Sequence, residues 1–254
     1  MKDCLTSLAQ HQKLAENIYL LDDCSTDVRI KPLLQRFADE NNWSVLYQSE
    51  NKGFVKTANQ GLKLSKNNTV LLNSDTVVCQ YWLHGFKQCL ESVADLATAT
   101  AWSNNAEICS FPEFLKNNII PKDINKFSQK LYKNYSPVYP EIPTAVGFCM
   151  LITKRAKKVV GYLDEKQFGH GYGEENDYSL RATKAGLNNI VCDNIYVVHV
   201  GNQSFSDLGI KPDENSMKRL LEKHPDYLKL IHEFIDNDPL AEVRMEILKK
   251  ISQD

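Results

Sequence analysis

Short apolar runs alternate with stretches of helical periodicity along the first hundred residues, and this alternation constrains the fold more than any other feature. Three segments have the composition of buried strands: 17–21, 45–47 and 69–72. Three others carry apolar residues at helical spacing: 32–40, 54–65 and 82–93. This order predicts right-handed βαβ units, and therefore an α/β fold with a mostly parallel sheet flanked by helices. In such sheets ligands bind beyond the carboxyl ends of the strands.

The rest of the chain predicts one main domain and a helical end. Residues 4–9 show helical spacing at the start, and segments 145–152 and 196–200 read as strands. The stretch 103–143 is rich in Asn, Lys and Pro and predicts a long excursion with one helix near 123–134. Residues 214–251 are helical in pattern. We therefore expect a domain over 1–205 and a C-terminal helical extension over 206–254.

Charge and cysteine usage exclude several classes of protein. A net charge of −2 gives no electrostatic reason to expect nucleic acid as a partner. The seven cysteines form no C-x-x-C pair, which argues against a zinc knuckle or a disulfide framework and fits a reducing cytosol. No apolar run reaches the ~20 residues of a membrane span. We expect a cytoplasmic protein without a transmembrane segment, with peripheral association at the inner face of the cell membrane left open.

The segment from Gly171 to Asp177 places three carboxylates, Glu174, Glu175 and Asp177, directly behind two glycines at a predicted helix start. Glycines allow positive φ and a close approach of the backbone to a ligand. Carboxylates are favoured at a helix N-terminus by the macrodipole. One of them could act as a general base on a sugar hydroxyl. A surface helix with an acidic first turn is the structural alternative.

Two polar clusters follow predicted strands, at 22–27 and 73–76. Asp75 is a hard oxygen ligand that suits Mg²⁺ or Mn²⁺ on a diphosphate, although Ser-Asp-Thr after a strand is usually a simple turn. His199 ends a late strand and is more often a core histidine than a ligand. Asp22 and Asp23 could equally cap the next helix.

In combination these segments resemble the family 2 glycosyltransferases, the inverting enzymes of the GT-A fold. Five segments carry the resemblance. Leu21–Asp27 is similar to the family's D-D-x-S-x-D loop, Asn51–Gly61 to its glycine-led helix start, and Leu71–Thr76 to a variant of its D-x-D motif. Gly171–Arg181 is similar to its catalytic-base motif, and Val198–Gly201 to its late histidine segment. Together they extend over about residues 1–205. Segment 102–112 resembles rhamnosyltransferase-like members more weakly.

The resemblance implies the reaction and its residues. A sugar would pass from a nucleotide-sugar donor to a saccharide or lipid-linked saccharide acceptor with inversion, assisted by Mg²⁺ or Mn²⁺. Glu175, where Asp is more usual, would be the catalytic base, and Glu174 would hydrogen-bond the acceptor. Asp75 and His199 would hold the metal. The donor would be bound by Asp22, Asp23, Lys52, Gly53, Asn59, Asn73 and Ser74, with Asp23 on the nucleobase and Asn73 replacing the first Asp of D-x-D.

One departure from the family pattern concerns the first strand. The family begins with a hydrophobic strand, whereas this chain starts at Met1 in the following helix. We expect a sheet whose central position is vacant or abnormally filled, because the chain is a fragment or a degenerate copy. A non-catalytic nucleotide-sugar-binding domain is therefore an alternative function. A dehydrogenase or methyltransferase is a second alternative, against which the lack of G-x-G-x-x-G after any strand argues.

Overall fold

The computed structural model describes residues 1–169, 171–201 and 214–252. The strands are β1 Tyr19–Asp22, β2 Ser44–Tyr47, β3 Thr69–Leu72, β4 Thr76–Val78, β5 Leu96–Trp102, β6 Cys149–Ile152 and β7 Asn188–His199. The helices are α1 Lys2–His11, α2 Ile30–Asn41, α3 Phe54–Leu64, α4 Trp82–Ser92, α5 Ile124–Asn134, α6 Lys154–Val159, α7 Glu165–Phe168, α8 Glu174–Lys184, α9 Glu214–Lys223, α10 Tyr227–Asn237 and α11 Ala241–Ile251.

The larger sheet is mixed, which corrects the expectation of a mostly parallel sheet. Five strands form one sheet in the order β3-β6-β5-β7-β4, and β1 and β2 form another. Only the β1–β2 and β5–β7 pairs are parallel; β3–β6, β5–β6 and β4–β7 are antiparallel. The α/β class with flanking helices is confirmed. Strand β6 is antiparallel to both of its neighbours, β3 and β5, because it follows the long excursion over 103–143 and not a βαβ unit.

The centre of the larger sheet is β5, a strand that the apolar pattern did not predict. All seven of its residues are buried. Its sequence alternates alanine and threonine, whose small side chains leave room for α6 and α8, which pack against this strand. The buried hydroxyl of Thr98 donates a hydrogen bond to the side chain of Asn189, and that of Thr100 accepts one from the amide of Val146.

The two sheets are separate in the described part of the chain, where β1 pairs only with β2 and β3 only with β6. A complete parallel sheet, which would have refuted the expectation of an incomplete centre, is therefore not formed by these residues. Whether a further strand belongs to the protein stays a prediction. The predicted first helix is present as α1, whose buried face includes Cys4, Leu5 and Leu8 and packs against β4.

The C-terminal helices pack onto the remainder of the molecule. Leu220 of α9 and Tyr227 of α10 share a buried cluster with Phe168 and Tyr178, and Ile247 of α11 belongs to the larger core. The expected division of the chain at residues 205 and 206 falls outside the described residues and stays a prediction. None of the helices in the described ranges combines the length and the apolar character needed to cross a membrane.

Candidate functional site

The start of α8 has the backbone that its two glycines predict. Gly171, Tyr172 and Gly173 have φ values of 106°, 69° and 99°, so three consecutive residues lie in the left-handed region. This turn ends at Gly173, the N-cap, and delivers Glu174, Glu175 and Asp177 into the first turn of the helix. The helix dipole favours negative charge at this position. The local sequence therefore gathers carboxylates at one helix terminus.

Glu174 and Glu175 form a carboxyl pair of unusual chemistry. Glu174 is buried and Glu175 is partly exposed, and each has an Oε2 atom without a hydrogen-bond partner. Burial, together with the neighbouring charge of Glu175, raises the pKa of Glu174 well above its ordinary value. Burial also raises the pKa of Glu175 to about 7, and the charge of Glu107 adds to that rise. A carboxylate with a pKa near neutrality and a free oxygen has the properties of a general base.

The loop before β6 lies between this carboxyl pair and His199. Ser179 Oγ donates to the carbonyl of Glu175 (2.7 Å) and accepts from the amide of Ala145 (3.0 Å). A Cβ atom at Gly147 would lie 3.9 Å from Cδ of Glu175, so the two residues are neighbours. The next residue, Phe148, stacks its ring on His199 with centroids 5.1 Å apart. Gly147 and Phe148 thus stand between the carboxyl pair and His199.

Asp75 and His199 lie together, as their positions at strand ends predict. Strand β4 pairs with β7 so that Thr76 is opposite His199, and the amide of Val200 donates to the carbonyl of Asp75. This register brings Asp75 Oδ2 to 3.5 Å from His199 Nε2. Burial, the largest single effect, acts to raise the pKa of Asp75, but the hydrogen bond and charge of His199 together with a backbone hydrogen bond and the N-terminal charge lower the pKa below its ordinary value. Asp75 is therefore an anionic carboxylate with a histidine beside it.

The ring of His199 is oriented by a loop that follows β5. Nδ1 of His199 lies 2.7 Å from the carbonyl of Asn105, so Nδ1 carries a proton and donates it. The side chain of Asn104 accepts from the amide of His199 (3.0 Å) and donates to its carbonyl (2.9 Å). The predictions of site residues missed this support. Its only sequence signal was the weak resemblance of segment 102–112 to rhamnosyltransferase-like proteins.

The chemistry of Asp75 and His199 fits a divalent cation. Asp75 Oδ1 is buried without a partner, and the fixed Nδ1 proton of His199 directs Nε2 toward Asp75. A histidine that ligates a metal usually donates its other ring N–H to a carbonyl or carboxylate, as Nδ1 of His199 does. Within the described ranges no group of three or more His, Cys, Asp or Glu side chains could hold a metal. Further ligands would come from oxygens of a diphosphate and from water, as is common for Mg²⁺.

The loop after β1 is tied to the start of α3 through Asp23. Its carboxylate accepts from the amides of Lys52 (2.8 Å) and Gly53 (2.9 Å) and from the hydroxyl of Thr57 (2.9 Å). Asp22 is 3% exposed, and its Oδ1 accepts from the amide of Ser25 while Oδ2 has no partner. The nucleobase role predicted for Asp23 stays a prediction. In this structure Asp23 shapes the loop, and the carboxylate oxygen that lacks a partner belongs to Asp22.

The remaining predicted donor residues differ in their availability. Asn59 is buried, and its side chain is engaged by the backbone of Leu163 and the carboxylate of Glu165, so it joins α3 to the segment before α7. Asn73 uses its backbone to bond Phe148 and Thr76. Ser74 and Lys52 have exposed side chains. Their roles in donor binding stay predictions, and Asn59 has the least freedom to fulfil one.

Comparisons with known proteins give the family and the fold of the chain. A family model described as "Glycosyl transferase family 2" matches residues 1–160, which include Asp22, Asp75 and Gly147 but end before α8. No curated protein gives a significant match to the chain.

Two solved structures are similar in fold. The first is a crystal structure of GalNAc-T7 with UDP, GalNAc and Mn²⁺, with a TM-score of 0.63 and 13% identity over 85% of this chain and 43% of that one. The second is the mannosyltransferase PcManGT from Pyrobaculum calidifontis with GDP-Man and Mn²⁺, with a TM-score of 0.55 and 12% identity over 98% and 70%. The chain thus spans less than half the length of the first. At these identities the likeness shows the GT-A fold alone.

Proposed function

The chain belongs to glycosyl transferase family 2, and from this membership we propose that it moves a sugar from a nucleotide-diphosphate donor to an acceptor hydroxyl with inversion, assisted by a divalent cation. One observation carries the proposal. The base candidate Glu175 and the cation candidates Asp75 and His199 stand on either side of the consecutive residues Gly147 and Phe148. Such proximity is what a transfer between a bound diphosphate and an activated hydroxyl requires.

Glu175 acts on the acceptor. Its pKa near 7 keeps a large fraction of the carboxylate ionised at neutral pH while leaving it basic enough to accept a proton. The hydroxyl proton passes to the carboxylate of Glu175, and the hydroxyl oxygen forms a bond to the anomeric carbon as the bond to the diphosphate oxygen breaks. Attack opposite the leaving group inverts the configuration. Glu174, whose pKa is raised by burial and by the charge of Glu175, lies beside the base and orients the acceptor or Glu175 itself.

Asp75 and His199 act on the donor. A bound Mg²⁺ or Mn²⁺ would neutralise charge that develops on the leaving diphosphate. Asp75 would hold the cation through its carboxylate, and His199 through Nε2, since Nδ1 is committed to Asn105. Both similar structures are complexes with Mn²⁺, which supports the choice of cation. The donor side of the site is proposed to consist of Asp22, Asp23, Lys52, Gly53, Asn59, Asn73 and Ser74. Asp22 and Asp23 would lie nearest the nucleobase of the donor.

The finer assignment is a hexosyl or rhamnosyl donor and a saccharide or lipid-linked saccharide acceptor, with action in the cytoplasm at the inner face of the membrane. A panel of GDP-, UDP- and dTDP-sugars tests it, with release of the nucleoside diphosphate measured in Mn²⁺, in Mg²⁺ and in EDTA. We expect release from one nucleotide class, dependent on the cation. Binding of a nucleotide sugar without release under any of these conditions would instead favour a non-catalytic binding domain.

A further inference from the structure

A buried carboxylate in helix α8 is held by residues from the C-terminal part of the chain. Asp177 is fully buried and lies two residues after Glu175. Its Oδ2 accepts from Arg181 Nε of the same helix at 2.8 Å. Its Oδ1 accepts from Lys223 Nζ at 2.7 Å and from His224 Nε2 at 2.9 Å. Two of its three side-chain partners therefore come from the end of α9.

The protonation of His224 follows from its neighbours. Nζ of Lys184 lies 3.0 Å from Nδ1 of His224, and an ammonium group can only donate. Nδ1 is therefore the acceptor, and Nε2 carries the proton that His224 donates to Asp177. His224 is 4% exposed, so this hydrogen bond is shielded from water. The histidine is a neutral donor of fixed tautomer, and the cations at Asp177 are Lys223 and Arg181.

The same contacts lock α9 to the elements that surround the start of α8. Lys223 Nζ also lies 2.8 Å from Oδ2 of Asp164, whose Oδ1 accepts from the first amides of α7. Arg181 donates to the carbonyls of Val160 and Tyr162. A Cβ atom at Gly173 would lie 3.9 Å from Leu220 of α9. The turn at Gly173 is thus adjacent to α9.

Tyr227, at the start of α10, continues this contact toward the carboxyl pair. Burial raises the pKa of Tyr227 to about 12, and the charges of Glu107 and Glu175 add to the rise. Tyr227 also packs in the buried cluster of Leu220, Phe168 and Tyr178, next to the start of α8.

We propose that Lys223 and His224 are positioning residues of the transferase site, which fix Asp177 and thereby hold the first turn of α8 with Glu174 and Glu175 in place. This inference rests on the proposed role of Glu175 in catalysis. A buried carboxylate that loses a partner must find water or move, and only two residues separate Asp177 from Glu175. A shift of about 1 Å in a reacting group can cost about 100-fold in rate. The C-terminal helices are on this basis part of the site.

Three full-length variants and one control test the proposal. His224→Ala removes the neutral donor, His224→Gln keeps an N–H group for Asp177, and Lys223→Met removes the charge while keeping the aliphatic length. Arg244→Met is the matched control. Arg244 is a buried cation of the same C-terminal region, but its partner is Asp238, which lies outside α8. Hydrogen–deuterium exchange of residues 171–184 is measured for each, together with kcat and donor KM on the nucleotide sugar that the wild type turns over.

We expect faster exchange in 171–184 for His224→Ala and Lys223→Met, restored slow exchange for His224→Gln, and no local change for Arg244→Met. We also expect kcat to fall about 10- to 100-fold in the first two variants, with donor KM little changed. Exchange in 171–184 that matches the Arg244→Met control would overturn the proposal, as would a rise in donor KM with kcat unchanged. If the wild type turns over no nucleotide sugar, the proposed function fails, and the exchange data still decide whether α9 restrains α8.

Discussion

The chemistry at Glu175 depends on its surroundings more than on its identity. Burial raises its pKa to about 7, and the titratable groups that interact with it electrostatically are Glu174, Glu107, Tyr172 and Tyr227. A base must be deprotonated to act, so kcat/KM should rise with pH through about 7 and fall about tenfold per pH unit below that value. The pH profile of nucleoside diphosphate release measures this. A rate that is constant between pH 5 and 8 would contradict the assignment.

The same raised pKa should make Glu175 costly to the folded state. The unfolded chain loses this proton near pH 4.5 and the folded chain near 7, so the folded state binds more protons over that range. Stability contributed by the protonated form is therefore lost as pH rises from 4.5 to 7. Glu175→Gln should raise the melting temperature at pH 8 and change it little at pH 4.5. Glu233→Gln, on the exposed face of α10, serves as the control and should have no effect at either pH.

Asp75 offers a test of the cation site that does not require turnover. Asp75→Asn keeps the size of the side chain but removes the charge that a hard cation needs. Calorimetric titration with the donor nucleotide should then lose the part of the affinity that Mn²⁺ adds, and keep the part measured in EDTA. Asp95→Asn, which removes an exposed partner of Arg155, should behave as wild type. Equal Mn²⁺ dependence in Asp75→Asn would exclude Asp75 as a ligand.

At the scale of elements, helix α8 has a positive-φ glycine at each end, and only one of them faces the site. Gly173 at the N-cap has φ 99°, and a Cβ atom there would meet Phe168 at 3.2 Å. Gly186, after the C-terminus, has φ 75° and open space around it. Both substitutions by Ala carry the left-handed backbone cost of about 1–2 kcal/mol.

Gly173→Ala should therefore lower the free energy of unfolding by more than Gly186→Ala does, and it alone should also reduce turnover. Urea unfolding and initial rates of the two variants make the comparison. Equal losses in both measurements would show that the turn at Gly173 has no special part in presenting Glu174 and Glu175.

Elements with strong apolar patterns were predictable, and those built from small residues were not. Strand β3 and helix α3 lie within one residue of their predicted limits, because their apolar spacing is regular. Strand β5 was missed, since alanine and threonine carry little hydrophobic signal even though the strand is fully buried. Its place at the centre of the sheet is decided by pairing with β6 and β7, which are distant in sequence.

Within the site, proximity of strand ends was predictable and long-range support was not. Asp75 and His199 were expected to lie together because each adjoins a strand end of one sheet, and they do. The contacts of Asn104 with His199 and of His224 with Asp177 join residues 95 and 47 positions apart. Neither pairing leaves a local pattern in the sequence. A mixed sheet was also unforeseen, because the order of strands and helices does not reveal which way β6 runs.

At the scale of the whole molecule, ligand binding should stabilise the fold as a unit. The proposed donor residues lie at the carboxyl ends of β1, β2 and β3 and in α3, whereas the base lies on α8, which contacts the end of α9. A donor at 100 times its dissociation constant should add about 2.7 kcal/mol to the stability of the folded state. Thermal unfolding with donor and Mn²⁺ should show one transition shifted upward. Two separate transitions, only one of them shifted, would indicate that the C-terminal helices unfold independently of the donor site.

The most direct test of the molecule as a transferase is the turnover of Glu175→Gln beside that of Glu174→Gln and Asp177→Asn. Gln keeps the size of Glu175 and its hydrogen bonding but cannot accept the proton, so kcat should fall about 10²- to 10⁴-fold. Donor affinity, measured by titration of the same protein, should stay at the wild-type value. Near-wild-type transfer by Glu175→Gln, with transfer lost in Glu174→Gln or Asp177→Asn, would place the base on another residue and contradict the mechanism proposed for this site.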